Sequence, residues 1–160
     1  DWTNKCGEVA KRSHRGFSKF ISGQCLEAVI IGVLFFVALT IGRLPYASTI
    51  AIVIGATSLV PIIGAFIGCV FGLVLIVTVS TQQAIIFLIV FFVIQQFEGH
   101  VIYPNVVGGQ VGLPAIWTML AVVVGGAVGG IGGIMLFIPL FSVIYMLIRK
   151  DVYARLKEEI

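Results

Sequence analysis

Between Ala28 and Ile148 the chain runs for 121 residues with only two formally charged side chains, Arg43 and Glu98. A water-soluble domain carries about 25% charged residues, so a stretch of this kind folds only where lipid takes the place of water. Composition agrees: 59% of the chain is hydrophobic and 11% charged. The expected fold is therefore all-α, a polytopic transmembrane helical protein.

The net charge of +3 invites a search for a polyanionic partner, but the basic residues lie at the two ends of the chain. Lys5, Lys11, Arg12, Arg15 and Lys19 precede the apolar region, Arg149, Lys150, Arg155 and Lys157 follow it, and Arg43 alone lies between. That pattern is a topology signal rather than a nucleic-acid footprint. By the positive-inside rule it puts both termini in the cytoplasm and makes the number of crossings even. Cys6, Cys25 and Cys69 are far apart and show no metal-ligand spacing, so free thiols and no metal are expected. The chain opens on Asp1, without an initiator Met or a signal-peptide pattern, and reads as a fragment or a processed form.

Three segments follow from the patterning: a basic cytoplasmic or interfacial segment over 1–20, a transmembrane domain over 21–149, and a cytoplasmic tail over 150–160. In the first, Trp2, Val9, Phe17 and Phe20 sit among charges, which suits either a helix lying at the interface or a plain linker. The first span is Gly23 to Gly42, about 30 Å of helix, with Arg43 snorkelling at its far end. Leu44 to Val79 is apolar but interrupted by Pro61 and by Gly55, Gly64, Gly68 and Gly72. Proline cannot donate to the carbonyl four residues back, Thr57, so the helix breaks near Ser58 to Pro61 and leaves a hairpin that is either re-entrant or fully spanning.

Ser80 and Gln83 have the form of a capping box and open a second long span, Gln82 to Tyr103. Pro104 is expected to end that helix, and Asn105 to Gly112 to form a glycine-rich loop. Leu113 to Ile148 is again apolar and again broken, around Gly129 and Gly130. A long span followed by a Pro/Gly-broken hairpin thus occurs twice. Because each hairpin ends on the side where it began, the second unit starts from the opposite face, the pattern of an inverted-topology repeat.

An ionisable group within a span normally faces a partner or a pathway, which singles out Glu98. It lies six residues before Pro104, about 9 Å of helix from the expected end. Gln95 is three residues earlier on the same helix face, and that face continues toward Asn105, so a polar stripe of Gln95, Glu98 and Asn105 is expected to line a pathway. His100 points away from it. At the first break, the Thr57 carbonyl with the Thr57 and Ser58 hydroxyls offers ligands for a cation or a hydroxyl-rich solute, or else satisfies the kink alone. Gly64, Gly68 and Gly72, like Gly125, Gly129 and Gly133, recur every four residues and let helices approach closely. No GK[ST], HExxH or GxSxG sequence is present, so neither a nucleotide site nor an enzyme is expected, and no cofactor.

Three stretches resemble a known family: VPIIGAFIG from Val60 to Gly68, QQFEGHVIYPNVVGGQVGLPAIW from Gln95 to Trp117, and GGAVGGIGGIMLFIPL from Gly125 to Leu140. Together they are similar to the C-terminal part of the autoinducer-2 exporter family of bacterial permeases. The resemblance implies a homo-oligomer in the bacterial cytoplasmic membrane that moves a small polar solute, some members exporting autoinducer-2 and others exchanging sodium or lithium for protons. It places the family's Pro/Gly motif on Pro61 and Gly64, and its Gln/Glu/Pro motif on Gln95, Glu98 and Pro104. A non-transporting assembly module, with the glycine surfaces serving only to pack subunits, is the contrasting reading.

Overall fold

The computed structural model describes residues 2–108 and 113–158, and among these every regular element is helical. Helix α1 (Trp2–Ile41) is followed by α2 (Ala47–Thr57), α3 (Ile63–Val77), α4 (Thr81–Phe97), two π-helical stretches (Glu98–Ile102 and Pro104–Gly108) and α5 (Ala115–Glu158). The chain packs as two units, residues 22–109 and residues 1–21 with 110–160. From Trp2 onward the first twenty residues are helical and continue into the first span as α1. At 40 residues α1 measures about 60 Å, twice the hydrocarbon core, so its basic start extends beyond the apolar layer.

The far end of α1 is closed by its own backbone. Leu44 N–H bonds Leu39 O at 3.0 Å and Arg43 N–H bonds Thr40 O at 3.1 Å. These are the two bonds of a Schellman cap, and they put Arg43 in the left-handed position that glycine usually fills (φ 52°). A cation at a helix C-terminus also meets the negative end of the dipole.

Helices α2 and α3 hold 11 and 15 residues, about 16 and 22 Å. Neither length crosses a core of about 30 Å, so the pair is a re-entrant hairpin that dips in and returns, with its tip at 58–62. The arms meet on glycine: a methyl at Gly64 would overlap the Thr57 carbonyl, and one at Gly68 would lie 2.8 Å from both Ile54 Cα and Thr57 Oγ1. The same economy joins α2 to α1, where a methyl at Gly55 would lie 3.1 Å from Ala28 O and 3.2 Å from Gly32 Cα. Lipid tails are as apolar as leucine, so close packing of this kind, rather than hydrophobic expulsion, holds membrane helices together.

Helix α4 starts as expected, with the Ser80 hydroxyl accepting from Gln83 N–H at 3.5 Å. It packs antiparallel to α1, with Phe35 against Phe91 at 5.8 Å between ring centroids. Ile31, Phe35 and Leu39 of α1, Ile50 and Ile54 of α2, Ile76 of α3, and Phe87 and Phe91 of α4 make up the core of this unit. The expectation that Pro104 ends the helix is overturned. From Glu98 the turns widen, Tyr103 N–H bonding Glu98 O five residues back, and the helical path runs through Pro104 to Gly108. Widening moves the carbonyl four residues back out of the way of the proline ring, whose clash with it would break an α-helix. Glu98 therefore lies ten residues from the end of the helical path. The remainder of the expected loop, 109–112, lies outside the described residues.

In the other unit, Ile116–Tyr153 is long and apolar enough to cross a membrane, yet it folds back on itself. Gly129 (φ −142°, ψ 19°) and Gly130 (φ 58°, ψ −138°) leave the helical region. The two arms then close so tightly that a methyl at Gly125 would lie 2.7 Å from Gly133 O. Trp117 meets Phe141 and Tyr145 at 6.2 and 5.7 Å between centroids, confirming antiparallel arms. The order long helix, broken hairpin, long helix, broken hairpin is thus as the sequence implied.

Gly64→Ala or Gly68→Ala is expected to lower stability by about 1–3 kcal/mol through overpacking, read as a fall in melting temperature in detergent. Gly132→Ala, whose new methyl meets nothing within 4 Å, is expected to leave it unchanged or raise it. Equal losses at the three positions would remove close packing as the explanation.

Candidate functional site

The polar chemistry of residues 22–109 gathers at the hairpin tip. Glu27 of α1 is 2% exposed and Gln24, one turn earlier, is fully buried. Glu27 stands 14 residues before the end of α1, about 21 Å from that surface, which in a core of about 30 Å leaves it about 9 Å, and Gln24 about 4–5 Å, inside the opposite face. Gln24 Nε2 donates to Glu27 Oε2 at 2.5 Å and to the backbone carbonyl of Ser58 at 2.9 Å. On α4 the arrangement repeats: Gln95 Nε2 donates to Glu98 Oε2 at 2.6 Å. The two carboxyl groups then face the same cavity, close enough to interact electrostatically. Two Gln-x-x-Glu elements on antiparallel helices thereby form one cluster, each glutamate held by the amide three residues before it.

A cavity of about 230 Å³ opens on this cluster, lined by Glu27, Ser58, Val60, Pro61, Ile62, Ala65, Phe66, Gln95, Glu98, Gly99 and Tyr103. The Tyr103 hydroxyl lies within electrostatic reach of both carboxyl groups, delivered there by the widened turn after Glu98. Among the described residues no lysine or arginine lines the cavity, and neither of the two ion pairs involves Glu27 or Glu98. Two carboxyl groups held side by side without a cationic partner repel when both are ionised, and one shared proton or one bound monovalent cation removes one of the two charges. A larger void of about 580 Å³ lies along α1 and α2, but its lining is apolar apart from Cys25 and Ser48, which suits a lipid chain better than a polar solute.

Of the residues expected from sequence to line a pathway, the structure brings Gln95, Glu98 and Ser58 together on this cavity, beside the expected break at Pro61. Thr57 does not reach it. Its hydroxyl turns back to Val53 O and Ile54 O at 2.9 and 3.1 Å. Its carbonyl, freed by Pro61, accepts instead from Val60 N–H at 2.9 Å. The Ser58 hydroxyl likewise returns to Ile54 O, at 2.7 Å, so Ser58 contributes its carbonyl rather than its hydroxyl to the polar cluster. Asn105 is exposed and donates to Val101 O at 2.7 Å; the wide turns between Glu98 and Asn105 shift the phase that would have kept them on one stripe. His100 faces away as expected, its Nδ1 paired with Gln96 O at 2.8 Å. Among the hinge residues, Gly64 fits under the Thr57 carbonyl beside Pro61, Pro104 lies within the π-helical path, and Gly129 and Gly130 turn the second hairpin.

Gln24 and Glu27 were not among the expected site residues. The signal that marks them is their own spacing, repeated at Gln95 and Glu98, together with the place of Glu27 inside the span drawn from Gly23 to Gly42.

Residues 1–151 match the family model described as AI-2E family transporter. The chain is 31% identical over 143 residues to "Putative transport protein YrrI" of Bacillus subtilis (strain 168), an alignment covering 89% of this chain and 40% of that protein. It is 27% identical over 148 residues to "Putative transport protein sll0060" of Synechocystis sp., covering 90% and 41% respectively. The chain spans about two-fifths of the length of these relatives. No solved structure matches it. The resemblance carried by the motifs between Val60 and Leu140 is thus borne out, and with its long apolar helices the chain is a multi-pass membrane protein that belongs to the AI-2E transporter family.

Proposed function

We propose that residues 22–109 hold the translocation site of a transporter that exports a small polar solute such as autoinducer-2 across the bacterial cytoplasmic membrane, working as a homo-oligomer of the whole protein. The observation that carries this reading is the cavity at the hairpin tip, where two carboxyl groups and the Gln95 amide converge among apolar side chains. Its 230 Å³ is room for about seven waters, the size of a compact hydroxyl-rich molecule. The hydrogen-bonding groups of such a solute would meet acceptors on Glu27 and Glu98 and donors on Gln95 and Tyr103.

The Glu27–Glu98 pair also favours a second reading, exchange of sodium or lithium for protons. A carboxyl pair without a cationic side chain trades one proton for one monovalent cation with no change in local charge.

Full-length protein in liposomes separates the two. With a panel of hydroxylated solutes and a sodium or lithium gradient, Glu98→Gln and Glu27→Gln are each expected to abolish proton-coupled cation exchange. Export resting on neutral hydrogen bonds keeps a measurable rate in both variants, because an amide oxygen still accepts from Gln24 or Gln95. Asn105→Ala, which alters a side chain outside the cavity, is expected to change either flux less than Glu98→Gln does. No flux of any solute or cation by the full-length protein would sink the transporter reading and leave the assembly module.

A further inference from the structure

The Gln24 amide binds two unrelated things at once: a carboxylate on its own helix and the last carbonyl before the tip of the re-entrant hairpin. Its remaining polar atom, Oε1, is buried without a partner. The side chain is therefore placed by its two donor bonds alone, at the cost of an unmet acceptor.

The tip it holds is strained. Ile63 N–H bonds Pro61 O at 2.7 Å, two residues back, which closes a γ-turn around Ile62 at φ 68°, ψ −55°. That turn is rare in its positive-φ form, and a β-branched residue at positive φ is an outlier. Strain of this sort amounts to about 1–3 kcal/mol and persists only where surrounding contacts over-determine it. Ile62 is half exposed and lines the cavity, so its own packing does not hold it. The restraint comes from the Gln24 bond to Ser58 O and from the close seat of Gly64 on Thr57.

We infer that Gln24 is a positioning residue that transmits the occupancy of the Glu27–Glu98 pair to the hairpin tip, and that this controls access to the cavity. The inference rests on the transport reading of the same site. With a proton or a cation shared between the carboxyl groups, Gln24 serves Glu27 and Ser58 together. When the pair is emptied, two anions repel across the cavity. Hydrogen bonds to a charged acceptor are about twice as strong as neutral ones, so the Gln24 amide follows Glu27 and gives up the Ser58 carbonyl. The γ-turn then relaxes and the tip leaves its seat, past the smooth glycine face of α3. Among the described residues the groups that face the pair are few: Gln24 from α1, Gln95 from α4 and Tyr103 from the widened turns, while the tip and α3 line the cavity with no titratable side chain.

The test uses full-length protein in liposomes, with natural cysteines replaced and a single Val60→Cys, a position 8% exposed on the cavity wall. Maleimide labelling rates are divided at each pH by those of the same Val60→Cys protein unfolded in denaturing detergent, which removes the ordinary pH dependence of an exposed thiolate. The normalised rate is expected to rise several-fold as pH is raised. Gln24→Leu makes labelling fast at every pH, Glu27→Gln with Glu98→Gln makes it slow at every pH, and Ile62→Gly slows it while keeping the pH dependence. A parent rate that is flat or falls with pH overturns the inference, as does a Gln24→Leu protein that keeps the parent's profile. If Gln24→Leu fails to fold, the Ile62→Gly rate decides: faster or unchanged labelling overturns the inference. Absence of flux in the unmodified protein would defeat the transport reading while leaving a pH- and Gln24-dependent tip in place, so the two failures are distinguishable.

Discussion

A carbonyl left without a donor in the interior of a bilayer costs several kcal/mol, and a re-entrant hairpin necessarily has some at its tip. In this chain the hairpin meets that demand from three sources. Backbone turns satisfy Thr57 and Val60, side-chain hydroxyls return to Val53 and Ile54, and the Gln24 amide reaches across from α1 to Ser58. The last of these ties the hairpin to the long helix beside it by something other than glycine packing. The depth of the tip, the placing of Glu27 and the existence of the cavity all follow from that one cross-link. A hairpin held by packing alone would be free to slide along Gly55, Gly64 and Gly68; one held by a polar bond has a defined stop.

The widened turns after Glu98 solve a related problem. A proline at 104 inside an α-helix would strand a carbonyl in lipid and clash with the preceding turn. Five-residue spacing accommodates the ring, and the Asn105 side chain satisfies Val101 O in passing. The same change of pitch brings Tyr103 onto the cavity and turns Asn105 off it. Such π-helical segments gather at functional sites, and this one lies beside the paired carboxyl groups.

How much of this was legible in the sequence depends on whether the signal was local. The scarcity of charge between Ala28 and Ile148, the break at Pro61 and the fold-back at Gly129 and Gly130 are local properties, and the helices follow them. Glu98 stood out because nothing near it is charged. Glu27 did not, because it sits at the edge of the basic segment, one residue before the charge-poor run begins, and its burial beside Gln24 is what shows that it belongs inside. The carbonyl freed by Pro61 could be counted four residues back to Thr57, but the γ-turn at Ile62 reassigns the tip's bonds, and the carbonyl that takes an external donor is Ser58. Asn105 was misplaced for a similar reason, since a stripe drawn at a uniform pitch cannot anticipate the wide turns between it and Glu98.

The two broken hairpins are alike in outline and unlike in chemistry. The first turns on Pro61 and a strained Ile62, among residues that hydrogen-bond a long helix. The second turns on two adjacent glycines, where φ 58° at Gly130 strains nothing, and a methyl at either glycine would meet only open space. An apolar, unstrained tip has no means of sensing charge, whereas a strained tip bonded to a carboxylate partner does. The second hairpin has a small-residue seat at Gly125 and Gly133, and among the described residues a side-chain bond from a long helix to the hairpin tip is seen only in the first. Control of access therefore belongs to the hairpin that carries Ile62, and Gln24 is the side chain through which the carboxyl pair reaches it.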